Sequence, residues 1–595
     1  SSSGSDLHPG MEEEARELLE EVERPWDDSL MLRNRKPLAS DSSEAAEGKE
    51  GHISRIFEKP PRPTRSRPAF DGPARNWAEA FMHNKRHQSL LIWLLLLLLA
   101  AVWTFRAHSL HKHVLKQHVR LGHRIRLAAR YLAESCGEDG KFRYIARAGG
   151  EEHAEKEKYD LVLHAWVLSA LSQYALYEHG GEDGVRKEKK EDLPVDVNKA
   201  LLNSARLAIS ELHVPVRHSS LSSEKIGGFL ALWRTSMDGR LEATTTANAM
   251  ILSALVMADK AAGGEVVDLR ILQNLGNFIV EMQRRDGLFY RTVLLDSSSS
   301  SSSMSSSSTS PSSPSSSSSL QASREEVCGS MGLALYALLL LSDLDREIIN
   351  GVSCPGSSWL KPAIRGFMGI AREEERMRLS NVHYKMPTHY WYVIAAGELL
   401  REDAPYLNQS SLPQWYSFTD HWGSSEWSIE DVKETILNFA DLALEAILTD
   451  FEILPSSHHD KDEEMYGALT SHGECFETAQ RLRALVAALS FLPRAVTDED
   501  RSYDTSDLLT SRILLRSRVE RAANKASEYL SSLQVLSPDN PCRGGFKRAK
   551  RKRPTHFPGE QEESNRHIDD VRMDWVADAM MALMGQRRSL LDKHN

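Results

Sequence analysis

The chain has 595 residues, a formal net charge of −11 at pH 7, 41% hydrophobic and 26% charged residues. That balance excludes a general nucleic-acid binder, because neutralising phosphates requires a basic face. Five cysteines (Cys136, Cys328, Cys354, Cys475 and Cys542) stand far apart with no CxxC spacing, which excludes a zinc ribbon and gives no disulfide framework.

Residues 1–88 hold few apolar side chains, acidic in the first half (MEEEARELLEEVE) and basic and proline-rich in the second (EKPPRPTRSRP). Such a segment buries too little apolar surface to offset backbone ordering, so a disordered tail is expected. Within it, EARELL reads as a short surface helix or an acidic dileucine signal, and PPRP as a polyproline II ligand.

The run Leu90 to Phe105, LLIWLLLLLLAAVWTF, is sixteen residues without a charge, flanked by Lys85, Arg86 and Arg106. At about 1.5 Å per residue it covers roughly 24 Å, against a hydrocarbon core of about 30 Å. This predicts one transmembrane helix over 89–105, with membrane lipid as a partner; a buried core helix is the alternative. The basic residues after the run (Arg106, Lys112, Lys116, Arg120 and Arg124) would by themselves keep the C-terminal side cytosolic. The charged tail and the lack of a cleavable signal favour instead a signal anchor, a type II protein of the secretory pathway (ER or Golgi) with a lumenal domain. The triplet Asn408-Gln409-Ser410 would then be usable for glycosylation. Residues 106–130, rich in His and Arg, read as a juxtamembrane helix leading into the large domain.

From residue 121 the apolar residues recur at helical spacing, as in Leu161, Ala165, Leu168 and Leu171. One phrase returns six times, a glycine–aromatic turn or polar loop followed by an Ala/Leu-rich helix. It is carried by EDGKFRY, GGFLALWRT, RRDGLFYRT, MPTHYWYV, LTSHGECF and RGGFKRA. Six helical hairpins, none able to bury its apolar face alone, imply a closed ring. In these phrases residues 121–586 resemble the six-hairpin, (α/α)6-toroid, glycosidase-like superfamily. The fold class expected is therefore all-α, a toroid preceded by the membrane helix and the tail, with residues 587–595 as a C-terminal tail. The serine tract 297–319 is expected to loop out, and 547–563 to form a basic loop that is either solvated or binds an anionic partner.

The resemblance implies that loops entering the inner helices ring a ligand-binding funnel. At those positions stand candidate acid/base residues Glu326, His389, Asp569 and Asp570. Candidate substrate-binding residues are Asp160, His164, Trp233, Tyr290, Tyr390, Trp391, Glu474 and Asp574. Two carboxylates facing one cavity would supply the acid and base of glycosidic cleavage, and a His near a carboxylate would suit proton abstraction beside a uronate. The bland reading of each is different: carboxylates cap helix N-termini, and aromatic residues at glycine turns staple the hairpins. In IDDVRMD, Asp570 and Asp574 are spaced to share a helix face. The expected function is a membrane-anchored, carbohydrate-active protein acting on a glycan or uronic-acid polymer as hydrolase, lyase or epimerase. A non-catalytic ring that binds a glycan, peptide or protein, and an isoprenoid-handling ring, are the alternatives. With no HExxH, Walker, GxSxG or Rossmann phrase, no metal or cofactor is expected. The sequence does not fix the oligomeric state.

Overall fold

The computed structural model describes residues 85–143, 145–147, 159–179, 195–214, 229–236, 240–264, 266–295, 324–348, 359–381, 383–384, 386–401, 418–419, 426–453, 467–470, 473–494, 507–549 and 570–592. The tail through residue 84, the serine tract 297–319, residues 550–563 and Asn408 lie outside them.

Two compact units divide the chain, Ser1–Arg120 and Leu121–Asn595. The first contributes the start of α1 (Lys85–Glu134), a helix that runs unbroken from the apolar run into the His- and Arg-rich stretch. Among the described residues, no helix is long and apolar enough to cross a membrane. This corrects the expectation of a single membrane span, and with it the signal anchor and the type II secretory placement that were built on it. The physical reason is length. Sixteen uncharged residues are short of a bilayer core, and the helix continues directly into charged side chains.

The second unit is helical. Its inner helices are α2 (Leu161–His179), α4 (Thr245–Ala261), α6 (Arg324–Ile348), α8 (Tyr390–Leu400), α10 (Cys475–Ala488) and α12 (Met573–Asp592). The outer ones are the last part of α1 with α3 (Val195–Ser210), α5 (Leu269–Glu281), α7 (Leu360–Ser380), α9 (Ile429–Ile453) and α11 (Asp507–Leu533). Each inner helix packs on the next in chain order, and α12 returns to pack on α2, so the inner ring closes. The last outer helix also joins the first: Gln534 Nε2 on the C-terminal side of α11 donates to the carbonyl of Arg124 in α1 at 2.9 Å, and Arg124 donates to the carbonyl of Ser531. The all-α toroid is present, without the membrane helix. The final helix also extends over much of the expected C-terminal tail.

Sequence sets the two layers apart. In α4 nearly every side chain from Ala247 to Val256 is buried, as a helix enclosed on all sides requires. In α5 burial is confined to the stripe Leu272, Leu275, Gly276, Phe278 and Ile279, the pattern of a helix with one face to water. Short ladders decorate the end at which the inner helices begin. There β1 (Ile145–Arg147) pairs antiparallel with β7 (Asp570–Arg572), tying the first hairpin to the last. Strand β3 (Leu241–Thr244) lies between β2 (Arg234–Thr235) and β4 (Thr292–Leu295), and a separate pair, β5 (Phe418–Thr419) with β6 (Glu426–Trp427), precedes α9.

The recurring glycine phrase has a structural cause. Gly287 has φ +92°, and a Cβ there would stand 2.2 Å from the carbonyl oxygen of Arg365 in α7. Gly544, at φ +96°, would meet the carbonyl of Leu127 in α1 at the same distance. Gly140 makes the same approach to Asn203 of α3, and Gly467, two residues ahead of the LTSHGECF phrase, to Lys525 of α11. Each turn thus follows one outer helix and tucks under the next, where only glycine fits. The aromatic of the phrase then closes an isolated bridge to the end of its outer helix, Cys136 with Phe142, Gln283 with Phe289 and Gln534 with Phe546. Those rings are buried staples between hairpins.

Candidate functional site

At the end of the ring where α10 and α12 begin lies a cavity of about 400 Å³ lined by Glu474, Cys475, Phe476, Arg548, Arg572, Asp574 and Trp575. Local structure sets each group. Glu474 is the N-cap residue of α10, yet its carboxylate makes no cap hydrogen bond. It instead accepts from Arg548 Nη2 at 3.0 Å, while the Arg548 carbonyl holds the Cys475 amide at 2.8 Å. Arg572 ends β7, and Asp574 lies in the first turn of α12. The guanidinium reaches it through both Nε and Nη2, each at 3.0 Å, and lies 5.2 Å from the Trp575 ring centre. Trp575 and Phe476 are half-buried, so part of each ring faces the cavity.

One helical turn deeper, the inner ring holds a third ion pair. Arg483 Nη1 of α10 donates to Asp578 Oδ1 of α12 at 2.8 Å, with Gln480 Nε2 at 3.4 Å from the other oxygen. Asp578 is fully buried, and burial pushes its carboxyl up to about 7 against the pull of Arg483. The guanidinium sits 4.9 Å from the Trp391 ring centre, and Trp391 in turn meets Trp166 edge-on at 5.8 Å and Tyr336 at 5.7 Å. Trp166 also touches Phe476 at 5.9 Å, which links the floor to the cavity above. Burial, followed by the charge of Asp578, pushes the Tyr390 hydroxyl up to about 12. Burial likewise raises the Cys475 thiol well above its ordinary value, so it is no thiolate at neutral pH.

Of the residues singled out from sequence, Glu474, Asp574, Tyr390 and Trp391 come together at this end of the ring. Asp570 does not share a helix face with Asp574, because α12 begins only at Met573; it stands in β7, buried and in register with Arg147. Others serve the frame. Asp160 Oδ1 accepts from the Val162 amide at 2.7 Å and from Arg234 Nη2 at 2.7 Å, an N-cap with an added ion pair. His164 lies between layers, its Nε2 2.9 Å from the Ser204 carbonyl of α3, and burial lowers its pKa to about 4. Trp233 packs edge-on against Phe278 of α5 at 6.2 Å. Tyr290 offers its carbonyl to Thr245 Oγ1, with Arg284 over its ring at 6.0 Å. His389 is buried with its Nε2 3.1 Å from Glu374 Oε2 of α7, so the outer layer supplies the carboxylate that its own phrase lacks. Glu326 falls in the first turn of α6, but its side chain and the whole of Asp569 lie outside the described residues, as does the HHD stretch 458–460. No group of side chains suited to a metal ion occurs among the described residues.

Sequence reasoning missed Asp578, Arg483, Gln480 and Trp166. A signal was there: Asp578 follows Asp574 by four in an otherwise apolar helix, and Arg483 interrupts the run of α10. Both read as exposed-face charges until the ring places both faces of an inner helix in the core.

No family model matches the chain, and no curated protein matches it. Among solved structures, it is similar to a possible member of the GH105 family from Salmonella enterica subsp. enterica serovar Paratyphi A str. ATCC 9150. The identity is 12%, over 79% of this chain and 94% of that one, with a TM-score of 0.29. A likeness of that size speaks to neither substrate nor chemistry.

Proposed function

We propose that the ring is a carbohydrate-active protein that takes a uronic-acid-containing glycan in the cavity between α10 and α12. The observation that carries this reading is the combination of the part-exposed Trp575 face with the Arg572–Asp574 pair beside it. A sugar ring presents an apolar C–H face and a girdle of hydroxyls, which an aromatic ring and a charged donor–acceptor pair answer together. Arg548 and Arg572 supply planar guanidinium groups of the kind that hold a carboxylate by two parallel hydrogen bonds. Turnover by hydrolysis, elimination or epimerisation would draw on carboxylates at this mouth, where Glu474 and Asp574 line the cavity and Asp570 stands in the strand that precedes α12.

Binding without turnover is the second reading. It is favoured because Glu474 and Asp574 each already hold an arginine. The test is calorimetric titration with uronate-bearing oligosaccharides and their neutral counterparts, followed by product analysis. Saturable binding of the uronate ligands, weakened at least tenfold by Trp575→Ala and by Arg572→Gln, supports the site. Equal affinity of the variants, or no binding of either ligand, removes it. New reducing ends, an unsaturated uronate or an inverted C5 centre in the products would select the catalytic reading.

A further inference from the structure

The opposite end of the inner ring carries a second cavity, of about 470 Å³, formed where α8, α10 and α12 finish. Its charged lining is arginine: Arg401, Arg483, Arg494, Arg516 and Arg588, against the one carboxylate of Glu398, with Gln173, Ser490 and Ser589 as neutral polar groups. Three of the five are engaged. Arg401 Nη1 lies 3.4 Å from Glu398, Arg483 is held by Asp578, and Arg516 reaches Glu520 at 3.1 Å and the Leu489 carbonyl at 2.9 Å. That last contact is ordinary helix capping, since cations belong at helix C-termini. It does not account for Arg494 and Arg588. Both are exposed and form no ion pair among the described residues, although they border the same cavity.

We propose that this cavity is a binding site for a phosphate-bearing small molecule, separate from the glycan cavity at the other end. Two guanidinium groups without a carboxylate partner among the described residues, in a recess that already gathers three more, leave positive charge that an oxyanion would neutralise. The arginines come from α10, α11, α12 and the segments after α8 and α10, so they approach from several directions. A tetrahedral phosphate can accept from several sides at once, whereas a planar carboxylate is satisfied by one or two. The volume is that of a small-molecule pocket rather than a single-ion niche. Arg483 is common to this cavity and to the Asp578 pair.

The experiment titrates the full chain calorimetrically with inorganic phosphate and with pyrophosphate, with sodium chloride holding ionic strength constant. The expected result is saturable binding that weakens at least tenfold in Arg494→Gln/Arg588→Gln. It should persist in the charge-matched control Arg206→Gln/Arg270→Gln, whose arginines are exposed and remote from the cavity. Thermal melting confirms that all variants fold. Three outcomes overturn the proposal: no saturable heat from either anion, equal loss in the control pair, or loss in Arg572→Gln instead, which would place the anion at the other end.

Discussion

One turn of α12 separates Asp574 from Asp578, and each carboxylate is paired with an arginine, yet the two regions are built differently. At the floor, the side chains of Arg483 and Asp578 are 8% and 0% exposed, enclosed by Trp391, Tyr390 and Cys475. At the mouth, Arg548 and Glu474 are 29% and 26% exposed, and Arg572 is 36% exposed beside an Asp574 that is itself 8% exposed. Water screens the Arg548–Glu474 pair on both sides and leaves the floor pair to a low-dielectric surrounding, where breaking a pair strands an unsolvated charge. The floor holds its geometry, while the mouth can exchange one partner for another.

The largest effect should come from stranding a charge at the floor. Asp578→Ala leaves Arg483 without its carboxylate and should cost about 3–5 kcal/mol in denaturant unfolding at neutral pH. A loss below about 1 kcal/mol would mean that water reaches the floor, and the contrast with the mouth would vanish. Next comes a region held by shape alone. Gly287→Ala forces a Cβ against the Arg365 carbonyl at positive φ and should cost about 1–3 kcal/mol, read as a fall in melting temperature. An unchanged melting temperature would show that the turn does not bind α5 to α7.

The fold was more legible than the site because the two are written in different signals. The glycine in EDGKFRY, RDGLFY and RGGF must sit under a neighbouring helix, so in those three phrases it marks the turn of a hairpin. The six returns of the phrase therefore gave the ring. The apolar run at Leu90–Phe105 misled, since composition suggested a span that its length did not support. Site residues depend on which end of a helix meets its neighbours. Glu474 and Asp574 could be placed because both open inner helices, a position that faces the mouth. His389 also opens an inner helix, but its ring turns outward to Glu374, a partner fifteen residues earlier in the chain. Asp578 and Arg483 lie ninety-five residues apart, and only ring closure brings α10 against α12.

Two buried groups of opposite sign sharpen the contrast through pH. Asp578 titrates at about 7 when folded and 3.8 when not, so the folded state binds the extra proton between those values. Its contribution is full below about 4 and is lost as pH rises through about 7, at about 1.4 kcal/mol per pH unit. His164 behaves in reverse, at about 4 folded against 6.5 unfolded, so its contribution is full above 6.5 and is lost as pH falls through about 4. The two slopes oppose each other between about pH 4 and 6.5. Relative to the wild type, Asp578→Asn should therefore make stability rise more steeply with pH in that window, and His164→Gln should make it fall. Unfolding free energies measured along that window check both signs. Parallel curves for the two variants would show that neither group carries the shift.

The smallest effect should lie at the mouth. Arg548→Gln removes the partner of Glu474, but both side chains are part-exposed, and such pairs contribute roughly 0.2–1 kcal/mol. Added salt should shrink even that, because exposed charges are screened beyond about 8 Å at physiological ionic strength. A cost above about 2 kcal/mol, insensitive to salt, would make the mouth pair structural like the floor. The predicted weakness is what the glycan reading requires. An arginine bound only loosely to its own carboxylate can turn to a ligand's carboxylate at little cost in stability, while the buried pair one turn below keeps α10 and α12 in place.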